Sequence, residues 1–403
     1  MNSESLEQPA EQQGPTKIWN KVFISLFFTS MAFNLGMSMS NSLLSVYVDS
    51  LGASASSVGM VMGTFTISSV ALRFISAPIM DTYNRKHIVA FAAILVSIAF
   101  YGFSMSSDVP TLMAFRLVQG AGMAFGNACC MAMVSEAIPR DKYGSGIGYY
   151  SLAQTICQAV GPQVGLTLAA WTNYNIVFIV TGSTMLISVV LAMQIKVDFK
   201  RTKKLKMSLN NIIAKESVLP AALMFLLAMG GGVVGSFLII FSGKQGAESN
   251  IGLYFTTTAI VMLVTRPLVG KLVDKYGATK IVIPALFFNG LSLFVISCSK
   301  SLLGFLIAAV IAAVGRGAAQ PAFMSLSMKS VPSDRRGAAS STNYIGLDLG
   351  GLVGPVIAGN IIEAFDYVAM WRVMIVPSVV GMVLMYATRR IIARIEKNFV
   401  LNY

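Results

Sequence analysis

Shifted by 193 residues, the chain falls on itself: Gly59 on Gly252, Arg73 on Arg266, Asp81 on Asp274 and Gly122 on Gly315. Pro139 falls on Pro332, Asp141 on Asp334, Gly144 on Gly337, and Gly161-Pro162 on Gly354-Pro355. The offset never drifts, and the shared residues are Gly, Pro, Asp and Arg rather than the Leu and Val that any apolar chain repeats. One structural plan is used twice. In a sequence that is 55% hydrophobic and only 12% charged, such a duplication points to a membrane protein of two bundles.

Run lengths exclude a large soluble helical protein. Segments such as His87–Ser104 and Tyr174–Ile195 carry no acidic or basic group after their first residue or two. About 20 apolar residues are needed to cross a hydrocarbon core, and a soluble chain carries roughly twice this charge. The mean hydropathy of +0.70 agrees. The pattern predicts an all-α membrane protein with twelve spans, at 22–48, 55–79, 88–106, 110–135, 144–169, 173–195, 217–241, 251–270, 281–298, 302–328, 338–363 and 369–388.

The net charge of +13 is then a matter of topology. The N-terminal tail, the connections after even spans and the C-terminal tail hold 23 of the 30 Lys and Arg. Lys and Arg mark the cytoplasmic side, so both termini are expected in the cytoplasm and the protein in the cell (inner) membrane. A nucleic-acid surface is not expected. The layout reads as a tail at 1–19, a six-helix bundle at 20–195, a basic connector at 196–216, a second six-helix bundle at 217–390 and a tail at 391–403. Six spans per half is even, so the halves are parallel repeats about a pseudo-two-fold axis along the membrane normal. The connector reads as a tether against anionic headgroups, with 209–214 as a short interfacial helix. Residues 1–16 are polar and read as a disordered tail rather than a signal peptide. Cys129, Cys130, Cys157 and Cys298 show no metal-ligand spacing and read as packing residues, and the lone His87 reads as solvated.

At the end of span 8 stands Arg266-Pro-Leu-Val-Gly270-Lys-Leu-Val-Asp274-Lys-Tyr-Gly277-Ala-Thr-Lys280, and its twin after span 2 runs from Arg73 through Ala77, Asp81 and Asn84 to Arg85-Lys86. Gly lets helices approach closely, Asp can face the positive N-terminus of a neighbouring helix, and the basic residues anchor the loop. This resembles the motif that marks the major facilitator superfamily, and the resemblance covers nearly the whole chain after residue 20. It implies gating roles for Asp81, Arg85, Asp274 and Arg266. The first copy departs from the pattern, with Ala77 and Asn84 where glycines are usual. Gly148, Cys157, Gly161-Pro162 and Gly165 of span 5 resemble the antiporter motif of drug and metabolite exporters, which adds Gly161, Pro162, Gly354 and Pro355 to the gate. Close packing of small residues explains the same pattern.

Four arginines, Arg73, Arg116, Arg266 and Arg316, lie inside spans. An arginine there costs at least ~2.5–3.5 kcal/mol on insertion scales. Arg116-Leu-Val-Gln119-Gly120-Ala-Gly122 resembles the span-4 arginine motif of proton-coupled members, and a snorkelling arginine is the plainer alternative. Asp348 is the one acid near the middle of a span, about 18 Å along its helix from residue 336. Asp348, with Arg73 and Arg116, is expected to handle the proton, exchanging between Arg73 and Arg316; a static ion pair is the alternative. Arg316 and Arg116 would make a central cavity positive and favour an anionic or zwitterionic substrate. Asn34, Gln119, Asn127 and Gln320 add hydrogen-bonding capacity there, and Phe33 apolar surface. Gly230-Gly231-Gly232 and Gly235 make span 7 either a flexible gate or a tight packing face.

No phosphate-cradling loop, metal-spaced cluster or nucleophile–base constellation is present, so the chain is not expected to be an enzyme or to hold a cofactor. The resemblance implies a monomeric secondary active transporter working by alternating access in the bilayer. Proton-coupled efflux of a small molecule, driven by the proton gradient, fits best. A proton-coupled importer or facilitator, and a non-transporting receptor, are the alternatives.

Overall fold

The computed structural model describes residues 17–138, 143–195, 213–247, 250–332 and 336–401. Those residues form fourteen α-helices: α1 Lys21–Ser50, α2 Ala55–Thr82, α3 Arg85–Met105, α4 Val109–Ala137, α5 Tyr143–Trp171, α6 Tyr174–Met193, α7 Val218–Lys244, α8 Leu253–Tyr276, α9 Ala278–Cys298, α10 Leu302–Lys329, α11 Arg336–Ala364, α12 Tyr367–Val373, α13 Val376–Ala387 and α14 Arg389–Leu401. Many starts are written locally. Asn20, Ser54, Asn84, Asp108, Asn173, Ser301 and Asp366 each precede a helix, and each side chain accepts a bond from a backbone N–H of its first turn. Nine helical stretches among the described residues are long and apolar enough to cross a bilayer. Helices α4, α5 and α8 are also long but carry more polar side chains, among them Arg116, Gln154, Gln158, Gln163 and Arg266.

Successive long helices run between two faces. On the terminal face Asn20 Nδ2 donates to the Ala137 carbonyl (2.7 Å), and Ser217 Oγ donates to the Ser327 carbonyl (3.1 Å). On the far face Tyr47 Oη donates to the Ser106 carbonyl (2.5 Å), and the Ser56 N–H donates to Glu363 Oε1 (3.0 Å). Helices α1–α6 pack among themselves, as do α7–α14, and the two groups meet mainly where α2 crosses α11, α5 crosses α8 and α1 lies along α7.

The two crossings obey the 193-residue offset. Gly59 of α2 lies against Pro355 and Val356 of α11, and its equivalent Gly252 lies against Gln163 of α5, the equivalent of Val356. Gly63 lies against Leu352, while its equivalent Thr256 donates to the Ala159 carbonyl (2.5 Å), Ala159 being the equivalent of Leu352. A Cβ on Gly59 would collide with the Pro355 carbonyl, so glycine is what permits this backbone-to-backbone approach.

Both crossings lie in the far half, and the apolar core follows them. One core runs through both groups there, from Phe33, Leu43 and Val61 to Phe237, Tyr254 and Trp371. Toward the terminal face each group has its own core, around Leu26, Val89 and Val134 in the first and Leu223, Leu286 and Phe323 in the second.

Three segments differ from the sequence expectation. The last span is two helices, because Pro377 at the start of α13 has no N–H to continue the ladder of α12. The C-terminal tail contains α14, whose Ile392 is buried against the second group and whose Glu396 Oε1 accepts from the Ala278 N–H (2.9 Å). That carboxylate caps α9, which starts on Gly277 (φ +83°) and has no side-chain cap of its own. Of the connector, 196–212 lie outside the described residues. Ile213 and Ala214 are non-helical, and Ala214 N donates to Thr342 Oγ1 (2.8 Å), so the expected 209–214 helix does not extend over them.

Candidate functional site

Near the middle of α2, α7, α10 and α11 lies a cavity of about 320 Å³. Phe65 and Thr66 face it from the first group, and Gly231, Arg316, Gln320 and Asp348 from the second; Met224, Leu227 and Leu347 supply apolar wall. It is within the size range of small-molecule sites. Gly231 belongs to the glycine run of α7, which passes through all of Gly230–Gly235 as continuous helix. A Cβ on Gly231 would sit 3.5 Å from Arg316 Nη1, so the missing side chain leaves the guanidinium its room.

At the cavity edge Asp348 of α11 pairs with Arg73 of α2. Arg73 Nε and Nη2 both lie 2.7 Å from Asp348 Oδ2, with the side chains 19% and 14% exposed. The guanidinium also stands over the Tyr344 ring, 5.4 Å from its centroid. This charge-assisted pair joins the two groups of helices. Under the 193-residue offset the equivalent pair would be Arg266 and Thr155, so the symmetric crossing has an arginine and no acid. Arg266 Nε is buried without a partner.

Arg116 stands differently. It is 1% exposed, and all five of its N–H donors are used. Nε donates to the Val61 carbonyl (3.1 Å), Nη1 to Asn41 Oδ1 (3.2 Å) and Gln119 Oε1 (2.6 Å), and Nη2 to the Met62 carbonyl (3.1 Å) and sulfur (3.5 Å). The Phe65 ring lies 4.8 Å away. These bonds tie α4 to α1 and α2 and leave no donor for a ligand.

Three residues expected at the cavity are enclosed elsewhere in this arrangement: Arg116, Gln119 (0% exposed) and Phe33 (2% exposed). Arg116 donates to Gln119, whose Nε2 in turn donates to the Met37 sulfur (3.5 Å), and Phe33 packs on Gly126 of α4. Asn34 donates to the Ser30 carbonyl (2.8 Å) on its own helix. Gln320 and Arg316 do line the cavity. The side chains of Asn127, Asp81 and Asp274 lie outside the described residues. Arg85 Nε donates to the Met80 carbonyl (3.2 Å). Gly161 packs on Ser38 of α1 and Gly354 on Met229 of α7, so both glycine–proline motifs join the first and fifth helices of their halves. Cys157 adds a bond from its thiol to the Met31 carbonyl of α1 (3.3 Å). Pro355 also touches the other group, through Gly59.

Sequence reasoning missed Thr66, Tyr254 and Tyr344. Thr66 is seven residues before Arg73 and Tyr344 four before Asp348, so both share a helix face with a residue already singled out. Tyr254 carries no such signal; it is fully buried and its hydroxyl lies beside Arg316.

Comparison with known proteins agrees with this architecture. The sequence profile described as Major Facilitator Superfamily matches residues 26–240 and 220–398. The multi-drug resistance efflux pump PmrA of Streptococcus pneumoniae is 22% identical over 369 residues, 88% of this chain and 92% of its own. The multidrug resistance protein MdtG of Escherichia coli is 26% identical over 390 residues, 91% of this chain and 93% of its own. Among solved structures, the peptide transporter POT in complex with sulfate superposes with a TM-score of 0.79 at 12% identity, covering 95% of this chain and 97% of that one.

Proposed function

The chain belongs to the major facilitator superfamily and is a multi-pass membrane transporter rather than an enzyme; from that premise we propose that it exports a small molecule in exchange for protons. Its twelve spans form two six-helix bundles about a pseudo-two-fold axis, α12 and α13 together making the last. Both termini face the cytoplasm, the far face is external, and the protein works as a monomer. Efflux relatives of similar length support the direction of transport.

The observation that carries the coupling is the Arg73–Asp348 pair, an ion pair at the cavity edge that also bridges the two groups of helices. With Asp348 ionised, the pair holds α2 to α11 and the far half stays closed. A proton on Oδ2 removes the carboxylate charge, and with it the ion–ion attraction to Arg73, and α2 and α11 are then free to separate. Arg73 needs a new anion or water in exchange, so protonation, substrate occupancy and bundle position become one equilibrium. Arg116 acts in this scheme as the clamp that keeps α1, α2 and α4 moving as one body. The signature loops around Asp81, Arg85, Asp274 and Arg266 hold the terminal side shut in the opposite state, and the glycine–proline stretches let the fifth and eleventh spans ride on the first and seventh.

The test is accumulation of radiolabelled amphipathic drugs, sugars and zwitterionic metabolites in oriented vesicles under an imposed pH gradient. Accumulation in inside-out vesicles with an acidic lumen is expected, with Asp348→Asn losing gradient-driven uptake while retaining substrate–substrate exchange. Full gradient-driven uptake by Asp348→Asn, or uptake confined to right-side-out vesicles, would contradict the proposal.

A further inference from the structure

Inside the spans the charges do not balance. Arg73, Arg116, Arg266 and Arg316 face one acid, Asp348, and every other Asp and Glu stands at a helix end or in a connection or tail. Asp348 is committed to Arg73, Arg116 is saturated by neutral acceptors, and Arg266 does not line the cavity. Arg316 is therefore the cation that the cavity itself presents, and among the described residues it makes no ion pair. Its surroundings are also unfinished. Thr66, fully buried, lines the cavity with an Oγ1 that has no hydrogen-bond partner. The Tyr254 hydroxyl, equally buried, interacts with the guanidinium without reaching a bond of ordinary geometry. Gln320 stands one turn along α10 from Arg316 and adds an amide.

A guanidinium with no ion pair among the described residues, a hydroxyl and an amide around one end of a cavity, and Phe65, Met224, Leu227 and Leu347 around the rest, form a site for a molecule with one anionic group and an apolar body. We infer that this cavity takes amphipathic monoanions, or zwitterions through their anionic end, with Arg316 as the residue that holds the anion and Thr66 and Gln320 as its hydrogen-bonding neighbours. The inference rests on reading the cavity as the transport site. Burying a carboxylate beside Arg316 neutralises a charge that is otherwise unpaired in the low-dielectric span. A cation placed there would face an unpaired arginine and find Asp348 already taken. Arg116 and Arg266, which have no acid partner among the described residues, add a field of the same sign and raise the local concentration of anions.

The test uses three probes on one ring system: 2-naphthoate, 2-naphthylmethylammonium and 2-naphthylmethanol, titrated onto the purified full-length protein by calorimetry, with no ion gradient. The naphthoate is expected to bind at least tenfold tighter than the other two. Arg316→Gln should weaken it at least tenfold, Arg316→Lys should keep part of the affinity, and both variants should unfold thermally as the parent does without ligand. Tightest binding of the ammonium, equal binding of all three, no binding of any, or unchanged naphthoate affinity in Arg316→Gln would overturn the inference. Failure of the antiport proposal looks different. A bound naphthoate whose movement in vesicles ignores a pH gradient contradicts proton exchange and leaves the anion site standing.

Discussion

Two arginines inside spans, Arg116 and Arg316, look alike in sequence and differ in what surrounds them. Arg116 ends on two backbone carbonyls, two side-chain amide oxygens and a thioether. Membrane hydrogen bonds average about 0.6 kcal/mol each, so its network contributes about 3 kcal/mol. Arg116→Ala should therefore lower the thermal unfolding temperature of the detergent-solubilised protein by several degrees, and Arg116→Lys, with three donors in place of five, by less. Arg316→Ala removes few bonds and should leave the unfolding temperature within about a degree while abolishing naphthoate binding; equal destabilisation by the two alanines would contradict this division of labour. The sequence marked both positions as costly, because any intramembrane arginine is. It could not separate them: the partners of Arg116 include the carbonyls of Val61 and Met62, and a carbonyl belongs to every residue and leaves no trace in the side-chain pattern. The Arg73–Asp348 contact was more legible, since both residues lie at similar depth on helices that the superfamily brings together.

At the scale of helices, the α2–α11 crossing is set by small residues. Gly59 and Gly63 of α2 meet Pro355 and Leu352, and Gly359 of α11 meets Ala55. Gly59→Val should hold the crossing apart, raising labelling by membrane-impermeant maleimides of a cysteine placed at Leu352 relative to the same cysteine in the unaltered background. Equal labelling would show that the crossing tolerates a side chain. Helix α14 makes a second element-level prediction. Glu396→Gln keeps the shape of the side chain but loses the charged cap on Ala278, and should cost about 1 kcal/mol, read as a small fall in unfolding temperature. The long helices and the polar caps at their starts were readable from hydropathy and from Asn, Ser and Asp. Helix α14 was not, because Arg389-Arg390 and Arg394 look like a basic tail until Ile392 is seen to dock. The break between α12 and α13 was signalled by Pro377, whose weight depends on a neighbouring turn that sequence alone does not fix.

For the whole molecule, the asymmetry between the two ends matters most. One apolar core joins both groups in the far half, and separate cores serve them toward the terminal face. That is the packing expected of a transporter closed on one side, with the Arg73–Asp348 pair near the pivot. The 193-residue repeat marked Gly59 and Gly252 as equivalent positions, but not the crossings they serve nor which end is closed, because a repeat is the same in both states. The direct measurement is the distance between spin labels at Trp171 and Phe365, two exposed far-face positions (82% and 77%) in different groups, recorded by double electron–electron resonance as pH is varied. Protonation of Asp348 is expected to populate a longer far-face distance as pH falls, and Asp348→Asn is expected to show that longer distance at every pH. A distance distribution that ignores pH in the parent protein, or that shifts with pH in Asp348→Asn as it does in the parent, would contradict the coupling of this ion pair to the rocking of the two halves.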